Sequence, residues 1–132
     1  MNGNVFFDTN ILVYAVASDD PRNLRADILL QEGGYISVQV LNELANVARR
    51  KQGREWAGVR EILSIVREFC IVLPLTEDVH ERGLALSERH SFSVYDGTIV
   101  AAAQLAGCST LYSEDMHDCF AIEGLSIINP FK

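Results

Sequence analysis

Val5-Phe6-Phe7 runs without a break into Asp8-Thr9-Asn10, and that into Ile11-Leu12-Val13-Tyr14-Ala15. Three apolar residues in a row read as the end of a buried strand. The three polar residues all favour helix N-caps, and the second apolar run reads as a helix. A strand that turns at once into a helix commits the chain to βα units, and so to a sheet with helices packed on it. The same turn puts a carboxylate, Asp8, at the carboxyl end of a buried strand, where open α/β sheets build their sites. Asp8 is therefore read as the first acid of a metal cluster, to which the rest of the chain brings others.

The pattern continues along the chain. Residues 4–8 are the first strand and 9–17 the first helix. Asp19-Asp20-Pro21 opens a second helix, on which Leu24, Ile28 and Leu29 keep helical spacing until Gly33-Gly34 stops it. Tyr35-Ile36-Ser37 is a short strand, with Ser37 or a neighbour available to cap the helix over roughly 38–50. After Gly53, the spacing of Trp56, Val59, Leu63 and Val66 predicts a fourth helix. Phe69 to Leu73 is a compact apolar strand closed by Pro74. Thr76-Glu77-Asp78 starts a helix with a capping hydroxyl and acids in its first turn. Tyr95-Asp96-Gly97 opens another, whose small residues Ala101-Ala102-Ala103 allow close packing on a sheet. Thr110 to Ser113 is the next strand, and Ser126 to Asn129, before Pro130, reads as a last, edge strand. Alternating strands and helices predict an α/β, three-layer sandwich: a mostly parallel central sheet with helices on both faces. At 132 residues the length predicts one domain, residues 1–132.

No apolar run reaches the roughly 18–20 residues of a membrane helix. The N-terminus has no basic stretch before its apolar residues, and Asp8 interrupts them, so no signal peptide is expected. Cys70, Cys108 and Cys119 are odd in number and lack a C-x-x-C, which suits a reducing, cytoplasmic setting and argues against disulfides or a zinc site. The net charge of −7 argues against a general nucleic-acid binder. It is uneven, however. Arg49-Arg50-Lys51 and Arg54 form a basic cluster, readable either as a solvated helix end or as a patch that steers RNA.

Three more acids stand out by position. Glu43 lies three residues after Val40 and four before Val47, on or beside the apolar face of its helix. It is either an edge residue reaching water or a carboxylate aimed into a site. Asp96 borders the core face in the first turn of its helix, where satisfying the helix N-terminus would also explain it. Asp115 follows a strand directly, with Glu114 and Asp118 as neighbours. Carboxylates crowded together cannot all stay ionised without a cation, and oxygen-only ligands favour Mg²⁺ or Mn²⁺ over zinc.

Phe7-Asp8-Thr9-Asn10-Ile11-Leu12, Asn42-Glu43-Leu44, Tyr95-Asp96-Gly97-Thr98-Ile99-Val100 and Leu111-Tyr112-Ser113-Glu114-Asp115-Met116 resemble, in order and spacing, the four acidic motifs of PIN-domain nucleases, above all the VapC toxins of bacterial toxin–antitoxin pairs. The ending Gly124 to Phe131 is similar too. The resemblance implies a metal-dependent endoribonuclease that inhibits translation, in which Asp8, Glu43, Asp96 and Asp115 bind one or two Mg²⁺ or Mn²⁺ ions and a metal-activated water cuts RNA. It implies supporting or substrate-contacting roles for Thr9, Asn10 and Ser113, and selects Asp115 over Glu114 and Asp118 by its place in the motif. It also implies a homodimer and a VapB-like antitoxin, with the second and third helices lining its groove; Leu24, Ile28, Leu41 and Leu44 fit that groove or plain core packing equally. Gly97 departs slightly from the family's usual residue after that aspartate.

Two other readings fit parts of the pattern. A haloacid-dehalogenase-like phosphatase also carries an aspartate after its first strand, but wants a second one two residues on, where Asn10 stands. A catalytically silent PIN fold would bind RNA or protein only, and loss of a motif acid would favour it; all four are present. His80, His90 and His117 lack metal-binding spacing, His117 is read as a surface residue, and no G-x-S-x-G elbow supports a serine hydrolase.

Overall fold

The computed structural model describes residues 4–116 and 120–132; His117, Asp118 and Cys119 lie outside them. The elements are β1 (Val5–Phe7), α1 (Thr9–Ala15), α2 (Asn23–Glu32), β2 (Gly34–Ser37), α3 (Val38–Arg50), α4 (Trp56–Phe69), β3 (Cys70–Leu73), α5 (Glu77–His90), α6 (Val94–Leu105), β4 (Thr110–Tyr112), β5 (Phe120–Ile122) and β6 (Leu125–Ile128). The strands form a single sheet in the order β3-β2-β1-β4-β6-β5. Every pairing is parallel except β5 with β6. The α/β expectation holds.

β1 lies at the centre and is buried along its whole length, as three consecutive apolar residues require. Its register on β4 sets Phe7 beside Tyr112, whose rings stack at 6.2 Å. α6 is buried from Gly97 through Ala103, and its alanines let it lie close on the sheet. Thr76 caps α5, its hydroxyl accepting from the Val79 amide at 3.2 Å, as its position predicts. Cys70 and Cys108 are buried and free. Among the described residues no helix is long and apolar enough to cross a membrane.

Besides the unexpected strand β5, and Phe69, which closes α4 instead of opening β3, the chain departs from its sequence reading in three places. β6 is not an edge strand: it lies between β4 and β5, and β5 forms the edge. Leu24 and Ile28 do not face the core, being 71% and 43% exposed, whereas Leu41 and Leu44 are buried in it. α2 instead buries Ala26, Leu29 and Leu30. Trp56 lies off the apolar stripe of α4, which is formed by Val59, Ile62 and Val66; the residue is 61% exposed.

Candidate active site

From β1 the chain proceeds outward to β2 and β3, then returns to place β4 on the other flank of β1. The strand order therefore reverses between β1 and β4. Connections leave adjacent parallel strands in opposite directions at such a point and open a crevice at their carboxyl ends. Asp8 follows β1 and Ser113 follows β4, so the topology brings them to that crevice from 105 residues apart.

Asp8 is the N-cap of α1 and only 5% exposed. Its Oδ1 accepts from the Thr9 amide at 2.7 Å. Its Oδ2 accepts from the Ser113 hydroxyl at 2.7 Å and from Asn10 Nδ2 at 3.4 Å. These donors favour the ionised form. Burial nevertheless dominates, and with the nearby charges of Asp96 and Glu43 it pushes the carboxyl up to about 6. Asn10 also accepts from the Glu114 amide at 3.3 Å, tying the start of α1 to the segment after β4. An aspartate there would add a second negative charge beside Asp8.

Glu43 projects from the middle of α3 and is half-buried. Thr9 Oγ1 donates to its Oε1 at 2.5 Å. Gln39, one turn earlier, donates to its Oε2 and to the Tyr95 carbonyl, both at 3.1 Å. Gln39 thus fixes Glu43 against the segment that carries Asp96. Sequence reasoning passed over Gln39, although a buried amide four residues before a core-edge acid is a usable signal. Asp96 stands in the first turn of α6, its amide donating to the Ser93 cap at 3.1 Å. Burial raises its carboxyl, and Asp115 and Glu43 raise it further.

Glu114 and Asp115 have different surroundings. Arg22 Nη1 donates to both Glu114 oxygens at 2.9 Å, and the Tyr14 hydroxyl donates to Oε1. Burial works to raise Glu114, but the Tyr14 and Arg22 contacts outweigh it and hold its carboxyl low. The Arg22 guanidinium lies 3.6 Å above the Tyr14 ring and also pairs with Asp20 at 2.8 Å. Asp115 is exposed and lines a cleft of about 450 Å³ with Thr9, Asn10, Glu43, Asn46 and Lys51.

Asp8 thus lies within electrostatic reach of Asp96 and Glu43, and Asp96 within reach of Asp115 and Glu43. Among the described residues, however, no three Asp, Glu, His or Cys side chains already form a metal-holding group. The donors suit a hard divalent cation in type, being carboxylate oxygens, and in charge, because a cation would offset the burial and the mutual repulsion that raise Asp8 and Asp96. Ser37 adds a buried hydroxyl with no hydrogen-bond partner at the carboxyl end of β2, next to β1.

A PIN domain family model matches residues 5–120. No curated protein matches by sequence. Among solved structures, a toxin–antitoxin complex from Klebsiella pneumoniae aligns at 26% identity and TM-score 0.72, covering 96% of this chain and 97% of that one. The sarcin-ricin loop cleaving toxin VapC20 of Mycobacterium tuberculosis aligns at 23% identity and TM-score 0.70, over 84% and 89% of the two chains. A DNA-bound VapBC from Salmonella typhimurium aligns at 18% identity and TM-score 0.66, over 95% and 96%. The last two are likenesses of fold.

Proposed function

The chain belongs to the PIN domain family, and on that premise we propose that it is a metal-dependent endoribonuclease acting as the toxin of a toxin–antitoxin pair. The observation that carries the reading is the buried Asp8 at the reversal of strand order, sharing its field with Glu43 and Asp96. Asp8, Glu43, Asp96 and Asp115 are the residues that would hold one or two Mg²⁺ or Mn²⁺ ions, directly or through water. Bound there, the ion supplies an activated water and neutralises charge on the phosphate under attack.

The chain's own residues do the rest. Ser113 and Asn10 orient Asp8 through Oδ2, and Thr9 and Gln39 orient Glu43. Arg22 and Tyr14 occupy Glu114, which leaves Asp115, of these two neighbouring acids, facing the cleft. Lys51 on the cleft wall supplies a positive charge for a phosphate. The Klebsiella toxin–antitoxin complex supports a VapB-like antitoxin as partner, and a homodimer is part of the same proposal. The exposed Leu24 and Ile28 on α2 offer apolar surface for a second chain.

End-labelled structured RNA incubated with the purified protein tests the reaction. Fragments are expected with Mg²⁺ or Mn²⁺ and not with a chelator. Glu43→Gln and Asp96→Asn each keep shape while removing a ligand charge, so each is expected to cut about a hundredfold more slowly, or worse, with an unchanged circular dichroism spectrum. Full activity in either variant removes that residue from the site, and RNA binding without cleavage by the parent protein replaces the nuclease with a silent binding module. In cells, the parent protein should arrest growth and Asp96→Asn should not.

A further inference from the structure

A second cleft, of about 610 Å³, lies beside the acidic one, between α3 and the start of α4. Asn42, Ala45, Asn46, Arg49, Arg50 and Trp56 line it. Asn46 lines both clefts, so the two adjoin along α3. We propose that this cleft receives an unpaired nucleotide of the RNA substrate, its base stacked on the Trp56–Arg49 pair and its phosphate on Arg50. The proposal rests on the nuclease reading for the identity of the chain's substrate.

Trp56 is the only tryptophan of the chain and remains 61% exposed although α4 has an apolar face on which to bury it. The Arg49 guanidinium lies over its ring at 5.0 Å and is steadied by donating to the Arg54 carbonyl at 3.0 Å. An indole and a guanidinium held together make a platform on which a base of any identity can stack. Arg54 is half-buried and engaged elsewhere, donating to Gln52 and to the Val16 carbonyl.

Charge points to the same occupant. The chain carries a net charge of −7. Among the described residues, both ion pairs are made by Arg22, and Arg49, Arg50 and Lys51 have no carboxylate partner. Unpaired cations in the last turn of α3, beside a site that cuts a polyanion, fit a phosphate backbone running from the acids toward Trp56. A paired duplex keeps its bases stacked inside and offers none to the platform, so the cleft selects single-stranded or looped RNA.

Because Trp56 is the sole tryptophan, its fluorescence reads the cleft directly. Titrations use the Asp8→Asn protein with Mg²⁺, so that RNA is not consumed. A short unstructured RNA is expected to quench the emission saturably, and a fully paired duplex to leave it nearly unchanged. By anisotropy of labelled RNA, Trp56→Ala raises Kd about tenfold or more while Trp56→Phe stays within about threefold. Arg50→Gln lowers the slope of log K against log salt by about 0.7, one phosphate contact on a single strand. RNA that binds without quenching, or a Trp56→Ala protein that binds like its parent, overturns the proposal. So does an emission that changes with protein concentration alone, together with a fall in sedimenting mass in Trp56→Ala, which gives the cleft to a second protein chain. The nuclease reading is scored apart, by cleavage with the Asp8-containing protein. Cleavage with an unchanged KM in Trp56→Ala leaves the enzyme and removes this cleft; quenching by RNA without any cleavage leaves the cleft and removes the enzyme.

Discussion

Asp8→Asn melts several degrees above the parent protein near neutral pH without divalent metal, and it cuts no RNA. The two effects have one cause. The Asp8 carboxyl titrates at about 3.8 in the unfolded chain and at about 6 in the fold, chiefly because the fold buries it. Between those values the folded protein holds a proton that the unfolded chain has released. Stability therefore falls as pH rises through this window, and the whole penalty, roughly 3 kcal/mol, is present above it. Asparagine removes the charge. Its oxygen can still accept from the Thr9 amide, but its nitrogen faces the Ser113 hydroxyl and the Asn10 amide, which costs part of the gain. A net rise of about 5 °C is expected. At pH 3, where both states of Asp8 are protonated, the advantage disappears. Saturating Mg²⁺ stabilises the parent more than the variant and narrows the difference. A variant that melts below its parent in metal-free buffer near neutral pH contradicts this account of the site.

Gly97→Ala should lower the melting temperature by roughly 10 °C, from a loss of about 3 kcal/mol. A Cβ at Gly97 would stand 2.1 Å from Ser87 Oγ and 2.6 Å from the Gly83 carbonyl oxygen. Ser87 cannot simply turn away, because its hydroxyl donates to the Gly83 carbonyl at 2.7 Å and contacts the Ser93 carbonyl at 3.0 Å. Facing it, a Cβ at Gly83 would come within 2.9 Å of the Thr98 backbone. α5 and α6 therefore pack backbone against backbone, and the methyl can be admitted only by separating them. Asp96 is the adjacent residue, so cleavage should fall even at temperatures where the variant is folded. Gly58→Ala is the control. Its Cβ would meet nothing nearer than 3.8 Å in the first turn of α4, so it should gain up to about 1 kcal/mol. Thermal melts of the two variants together check the packing; equal effects would mean that helix propensity alone is being read.

Much of this was legible in the residues because it is local. Val5-Phe6-Phe7 followed by Asp8 predicts a buried strand, an N-cap and a helix within one short segment, and all three are present. Glu43 and Asp96 were legible from their offsets to neighbouring apolar residues. What escaped depends on partners distant in the chain. The Arg22 contact with Glu114 spans 92 residues, and no pattern around either residue announces it. It separates the surroundings of Glu114 from those of Asp115, a distinction that position in a motif can only assert. β5 escaped because Phe120-Ala121-Ile122 is too short for period-two alternation to register. Its turn also uses Glu123 at φ 47° before Gly124 at φ 87°, where an asparagine or aspartate is the usual marker. Trp56 was misplaced for the opposite reason: its spacing matched the apolar stripe, but a residue at the first position of a helix can turn off that face.

Mn²⁺ binding, followed by the loss of the free ion's electron paramagnetic resonance signal, tests most directly whether the four acids form one site. The parent protein is expected to bind Mn²⁺ near neutral pH. Asp8→Asn, Glu43→Gln, Asp96→Asn and Asp115→Asn should each weaken binding about tenfold or more, and Glu114→Gln far less, because Arg22 and Tyr14 already occupy that carboxylate. Binding that survives the loss of Asp8, or that depends on Glu114 as strongly as on Asp115, would contradict it.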